Sequence, residues 1–289
     1  MKYMPAKLFL YISGFLVALI GVSCQTETVD DEWITLFNGE DLTGWYTYQR
    51  APEPTSEVPE IPRDEEGNYL EPIGMDRDPL NVFTVVEEEG EPAIRISGET
   101  FGILVTEEEY EDYHLQLEFK WGEEKYPPRE TLLRDSGILY HSVGEEGAWG
   151  GVWMKSLECQ VQETDCGDFI AVDTTMADVP AELVDGDYYY AEAAERLTFD
   201  VDRAYCNHNG DYEKPNGEWN TIEIYTVDGN SIHVVNGNVN MRVYNARHIV
   251  DGETVPLEKG KIQIQSEGAE IFYRNIRIRP VSEIPEELR

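Results

Sequence analysis

The chain has 289 residues, with 22 Lys and Arg against 58 Asp and Glu, for a formal charge of −36 at pH 7. That balance excludes nucleic acid as a partner, because holding phosphates needs clustered Lys and Arg that release counterions, and it disfavours anionic membrane surfaces for the same reason. Hydrophobic residues make up 41% of the chain and include 17 Tyr, 9 Phe and 6 Trp, which is enough for a packed core and excludes a disordered acidic chain.

In chain order, Lys2 and Lys7 precede an apolar run from Leu8 to Val22 that ends at Ser23-Cys24. A basic start, a short apolar run and small residues at its end read as an export signal, and the run falls short of the ~20 residues a spanning helix needs. A cysteine placed there resembles a bacterial lipoprotein signal, which implies removal of residues 1–23 and a lipid on Cys24. The chain is then expected in the periplasm or on the outer membrane surface, touching membrane only through that lipid. Residues 24–32 form an acidic tether, 33–281 one domain, and 282–289 a short tail.

Strand patterns follow at Val82–Val86, Ala93–Ser97, Gly102–Thr106, Tyr113–Trp121, Gly137–Val143, Leu157–Gln162, Trp219–Val227, Ser231–Val235, Asn240–Tyr244, Lys261–Gln265 and Glu270–Arg279. Turn dipeptides such as Asn236-Gly237 and Asp251-Gly252 separate them. Many short strands without βαβ spacing predict an all-β sandwich of antiparallel strands. Residues 46–80, rich in Pro and Glu, and residues 172–213 break the rhythm and are expected as long loops bordering a site. Export would put Cys159, Cys166 and Cys206 in an oxidising compartment. Alternation makes Cys159 a buried thiol, and leaves Cys166–Cys206 as the pair available for a disulfide.

In the strand Leu157–Glu163, alternation sends Leu157, Cys159 and Val161 to one face and Glu158, Gln160 and Gln162 to the other. Gln263 and Gln265 repeat the device opposite Ile262 and Ile264. Rows of Gln and Glu suit the hydroxyls of a sugar, because each side chain offers donors or acceptors at fixed heights. Trp149, Trp153 and the run Tyr188–Tyr190 supply stacking surfaces. The net charge makes neutral sugars better ligands than anionic polysaccharides.

Six segments carry a resemblance to a known family: Trp33–Trp45, Asp135–His141, Glu218–Thr221, His233–Gly237, Gly260–Gln265 and Tyr273–Ile278. In this order they resemble the 3-keto-disaccharide hydrolase domain family from about Trp33 to Pro280, which implies a concanavalin A-like jelly roll and cleavage of 3-keto-glycosides. Such a reaction removes the C2 proton made acidic by the C3 ketone, expels the C1 substituent and adds water, so it needs a base, a group polarising the ketone and an acid. The resemblance offers Glu158 or His233 as base, His141 or Arg274 as polariser, and Glu163 or Asp168 as acid. Gln160, Gln162, Trp153, Asp168, Gln263, Gln265 and Arg274 are the expected substrate contacts. Two alternatives stay open: retaining hydrolysis of unoxidised β-glycosides by Glu158 and Glu163, with Gln160 where laminarinase-type enzymes on this fold have Asp, and sugar binding without turnover. A divalent metal held by His141, Glu158 and His233, or calcium at Asp165–Asp168, is likewise open.

Overall fold

The computed structural model describes Met1 and residues 32–289, so the export signal, Cys24 and nearly all of the tether lie outside the described residues. The described chain is all-β, an antiparallel jelly-roll sandwich of a twelve-stranded and a nine-stranded sheet. At the middle of the larger sheet, Tyr113–Lys125 lies between Asn220–Val227 and Ala269–Pro280. The smaller sheet runs through Phe169–Val172, Lys155–Gln162, Asp135–Val143, Lys259–Ser266, Gly102–Thr106 and Trp45–Gln49, each hydrogen-bonded to the next.

Two-residue alternation decides which side chains meet between the sheets. Leu157, Cys159 and Val161 turn inward with Ile138, Tyr140, Ile262 and Ile264, and pack against Leu115, Leu117, Phe119, Ile222, Ile224 and Tyr273 of the other sheet. Each such side chain contributes about 1.5–3 kcal/mol on burial, so any one-residue slip of these strands would expose the whole row. That core requirement fixes the opposite row: Glu158, Gln160 and Gln162 face outward, paired across the ladder with Leu139, Gly137 and Asp135.

The outer face of the smaller sheet is not bare. Val152, Trp153 and Met154 fold over it onto Ile103, Val105, Leu139 and Phe101 as a second apolar cluster. Residues 51–73 pack around Val58, Ile61, Tyr69 and Ile73, a small core of their own, with Arg63 stacked 4.1 Å from the Tyr69 ring centroid.

Two expectations need correction. Residues 172–213 are not a long loop but the strands Thr175–Val184, Asp187–Tyr190, Arg196–Phe199 and Tyr205–Cys206, which widen both sheets. Cys166 and Cys206 form no disulfide: Cys159, Cys166 and Cys206 are all free, buried thiols. The register sets Cys206 opposite Phe169, beyond Cys166 along the chain.

Candidate active site

The outward row of Lys155–Gln162 meets its neighbours over a gap. Gly137 leaves the space into which Glu158 and Gln265 reach: a Cβ built at Gly137 would lie 2.5 Å from Gln265 Oε1 and touch Glu158 Oε1. Glu158 is only 4% exposed. Burial, and then the nearby Glu267 carboxylate, push its carboxyl well above the usual carboxylate range, with the Gln265 amide opposing. Gln265 Oε1 is enclosed and unpaired, so a protonated Glu158 is the form that this position suits.

One step further along the alternation Gln263, Gln265 stands Glu267. Burial raises its carboxyl to about 7, while Arg129 and Arg50 pull it down. Arg129 sits 3.7 Å from Glu267, 2.5 Å from Asp135 and donates to Gln162 Oε1 at 2.9 Å. Asp135 is also raised, first by burial and then by Glu267, and its Oδ1 is enclosed without a partner. Two carboxyls that share one guanidinium cannot both ionise cheaply, so an ionised Glu267 holds the proton on Asp135. The sequence reading did not single out Glu267, Asp135 or Arg129. For Glu267 the signal was present, since it continues by two residues the row of Gln263 and Gln265.

Several expected residues serve other ends. His141 has φ +50° in a bulge of its strand, which turns its ring inward beside Tyr113 and Tyr140 rather than toward Glu158. Burial holds it down at about 3, so it is neutral. His233 is fully buried between the sheets, with Nε2 bonded to Tyr140 Oη at 3.0 Å and Nδ1 donating to the Gly167 carbonyl at 3.1 Å. Burial lowers it to about 4 despite that carbonyl. Neither histidine is placed as base or polariser, because neither is on the outer face. Arg274 belongs to the larger sheet, bonded to Glu118 at 2.7 Å and stacked 3.8 Å from Trp219. Glu163 is bound by Asn216 and by Arg134, and these bonds outweigh its burial and lower its carboxyl, the opposite of what an acid at neutral pH requires.

The remaining expected contacts do lie on the outer face or beside it. Gln263 spends both amide atoms on structure, accepting from Met154 N at 3.2 Å and donating to Ser142 Oγ at 2.7 Å, and so pins the overlying loop. Gln160 Oε1 accepts from Val161 N at 3.0 Å. Gln162 lines a cleft of about 860 Å³ together with Asp165, Tyr188, Arg203, Tyr205 and Asn207. Trp153 stacks on Phe101 with ring centroids 6.4 Å apart and is buried, whereas Trp149 is the exposed indole of that loop. Asp168 is buried and clamps Tyr205 and His208.

The metal alternatives do not fit. His141 and His233 lie between the sheets while Glu158 lies outside them, and among the described residues no three His, Cys, Asp or Glu side chains converge on a cation position. In the 165–168 turn, the Asp168 oxygens are occupied by Tyr205 and His208, and those of Asp165 by Gln162 and Thr164.

This antiparallel jelly roll, with a buried carboxyl group set into one sheet face, is a glycosidase-like, carbohydrate-active domain. Residues 32–279 match the 3-keto-alpha-glucoside-1,2-lyase-like domain, and the chain belongs to that family. Among solved structures it is similar to two candidate glycosyl hydrolases of Parabacteroides distasonis. One is 18% identical with a TM-score of 0.46, covering 86% of this chain and 94% of that one. The other is 17% identical with a TM-score of 0.43, covering 86% and 100%. A carbohydrate-binding module of Bacillus subtilis is 8% identical with a TM-score of 0.39, covering 68% and 91%. None of the curated proteins compared matches the sequence.

Proposed function

We propose that this domain cleaves the glycosidic bond of neutral 3-keto-glycosides by elimination followed by hydration. The observation that carries the reading is the pair Glu158 and Glu267, near enough on one face for the Glu267 carboxylate to raise Glu158, with the Arg129 guanidinium 3.7 Å from Glu267. Glu158, its carboxyl raised by burial, is suited to protonate the leaving O1, and Glu267, which titrates at about 7 beside Arg129, to take the C2 proton. Arg129 lies beside Glu267 and limits the rise of its carboxyl, and the Gln265 amide reaches over Gly137 to Glu158. Glu163, bound by Arg134 and Asn216, speaks against the Glu158–Glu163 pairing of a retaining glycosidase. Family membership supports the substrate class. Export as a lipoprotein through Cys24 is part of the same proposal and rests on the sequence of the first 24 residues.

The test is alcohol release from matched 3-keto and unoxidised glucosides. Release from the 3-keto partner alone is expected, with Glu158→Gln lowering it ~10²–10⁴-fold, the usual worth of one general acid. Equal release from the unoxidised partner would overturn the reading, and sugar affinity without release from either would leave a binding module.

A further inference from the structure

On the sheet face that carries Glu158 stands an imidazole that the elimination step leaves unused. Asp168 has no exposed surface, and its Oδ1 accepts from both the backbone N–H of His208 at 2.6 Å and His208 Nδ1 at 2.5 Å, while Oδ2 accepts from Tyr205 Oη at 2.6 Å. That clamp fixes the ring's orientation and puts the proton of neutral His208 on Nδ1, leaving the Nε2 lone pair as acceptor. Nε2 has no protein partner among the described residues, and it is not among the enclosed unpaired atoms, so it meets water. The register carries the clamp to the same face as Glu158. Gln160 N donates to the Asp168 carbonyl at 3.0 Å, and Tyr205 stands opposite Ile170, which in turn stands opposite Glu158. Tyr205, Asn207, Asp165 and Gln162 line the cleft of about 860 Å³ that opens alongside.

We propose that His208, positioned by Asp168, activates the water that adds to the unsaturated sugar left by elimination. The proposal deepens the cleavage reading above and depends on it. In elimination, Glu267 takes the C2 proton, the C1–O1 bond breaks and Glu158 protonates O1, leaving a C1=C2 double bond conjugated to the C3 ketone. In hydration, His208 Nε2 takes a proton from water as its oxygen bonds to C1, and Glu267 returns its proton to C2. The imidazolium proton passes through solvent to the Glu158 carboxylate. Both carboxyls and the imidazole are restored, and the sum is glycoside plus water giving alcohol plus 3-keto sugar. Asp168, Asp165, Asp211 and the Tyr205 hydroxyl are the titratable groups around the ring. Burial works against its charge, but the bond to Asp168 outweighs this and raises it above the ordinary histidine value, which strengthens it as a base.

The test is a single-turnover reaction of residues 25–289 on p-nitrophenyl 3-keto-glucoside, following the phenol, the ultraviolet absorbance of the conjugated enone and the hydrated sugar. The wild type is expected to yield hydrated sugar with little enone. His208→Gln and His208→Asn should raise the enone-to-hydrated-sugar ratio at least tenfold, and added imidazole should lower it again. An unchanged ratio in both variants, or hydration and phenol release lost in proportion, would overturn the proposal. So would a wild type that releases enone as its end product, although the cleavage reading would then stand. No phenol release by the wild type would remove both.

Discussion

The sharpest consequence of the site geometry is at Gly137, which bears no functional group. A methyl there would sit 2.5 Å from Gln265 Oε1 and closer to Glu158 Oε1, where C···O contacts need about 3.3 Å. Both atoms are the far ends of flexible side chains, so each gives way by roughly 1 Å at little cost to the fold. Gly137 lies in a strand and its own φ is not positive, so alanine also suits its backbone and narrows the unfolded ensemble, a gain of about 0.4–1 kcal/mol. A displacement of ~1 Å in a catalytic group costs about 10²-fold in rate, near 2.7 kcal/mol of transition-state stabilisation. Gly137→Ala should therefore lower kcat/KM on a 3-keto-glucoside about 100-fold while Tm falls little or rises. Steady-state kinetics with a thermal melt read both quantities. Activity within threefold of wild type would refute the placement of Glu158 as the acid, and a collapsed Tm would refute the claim that only the side-chain ends are displaced.

The pH response follows from Glu267. Its folded value of about 7 lies above the ordinary 4.5, so the stability this group supplies is full below about 4.5 and is lost as pH rises through about 7. Glu267→Gln should gain Tm on the wild type across that window, and should lose the rise of kcat/KM toward a plateau above about 7; parallel melting curves would count against the assignment. Cys159, Cys166 and Cys206 are buried and their thiols are raised by burial, so a thiol reagent should label none of them in the native domain and all three after denaturation, and reductant should leave Tm unchanged. Rapid native labelling would contradict that packing. His233→Ala should cost about 2 kcal/mol of stability by leaving the buried Gly167 carbonyl without its donor, with kcat of the folded protein held within a few fold. Urea titration and active-site-normalised rates check this, and a large kcat loss at unchanged stability would return His233 to the chemistry.

Much of this protein is determined by period-2 alternation alone. Once Leu157, Cys159 and Val161 had to be buried, Glu158, Gln160 and Gln162 were committed to the other face, and the same holds for Gln263 and Gln265. The sandwich class and the polar face were therefore readable from local pattern. What the pattern did not carry is which rows become neighbours and how deeply each side chain is buried. Strand order places Glu267 beside Asp135 and Arg129 across a sequence separation of more than a hundred residues, and only that juxtaposition sets their protonation. A bulge at His141 reverses the direction that strict alternation assigns, because one residue with positive φ puts two successive side chains on the same side. Nothing beside His208 in the chain marks it, and only the fold sets a buried carboxylate against its ring. Alternation is a property of neighbours in the chain, whereas burial and charge coupling are properties of neighbours in space, and the chemistry of this face depends on the second.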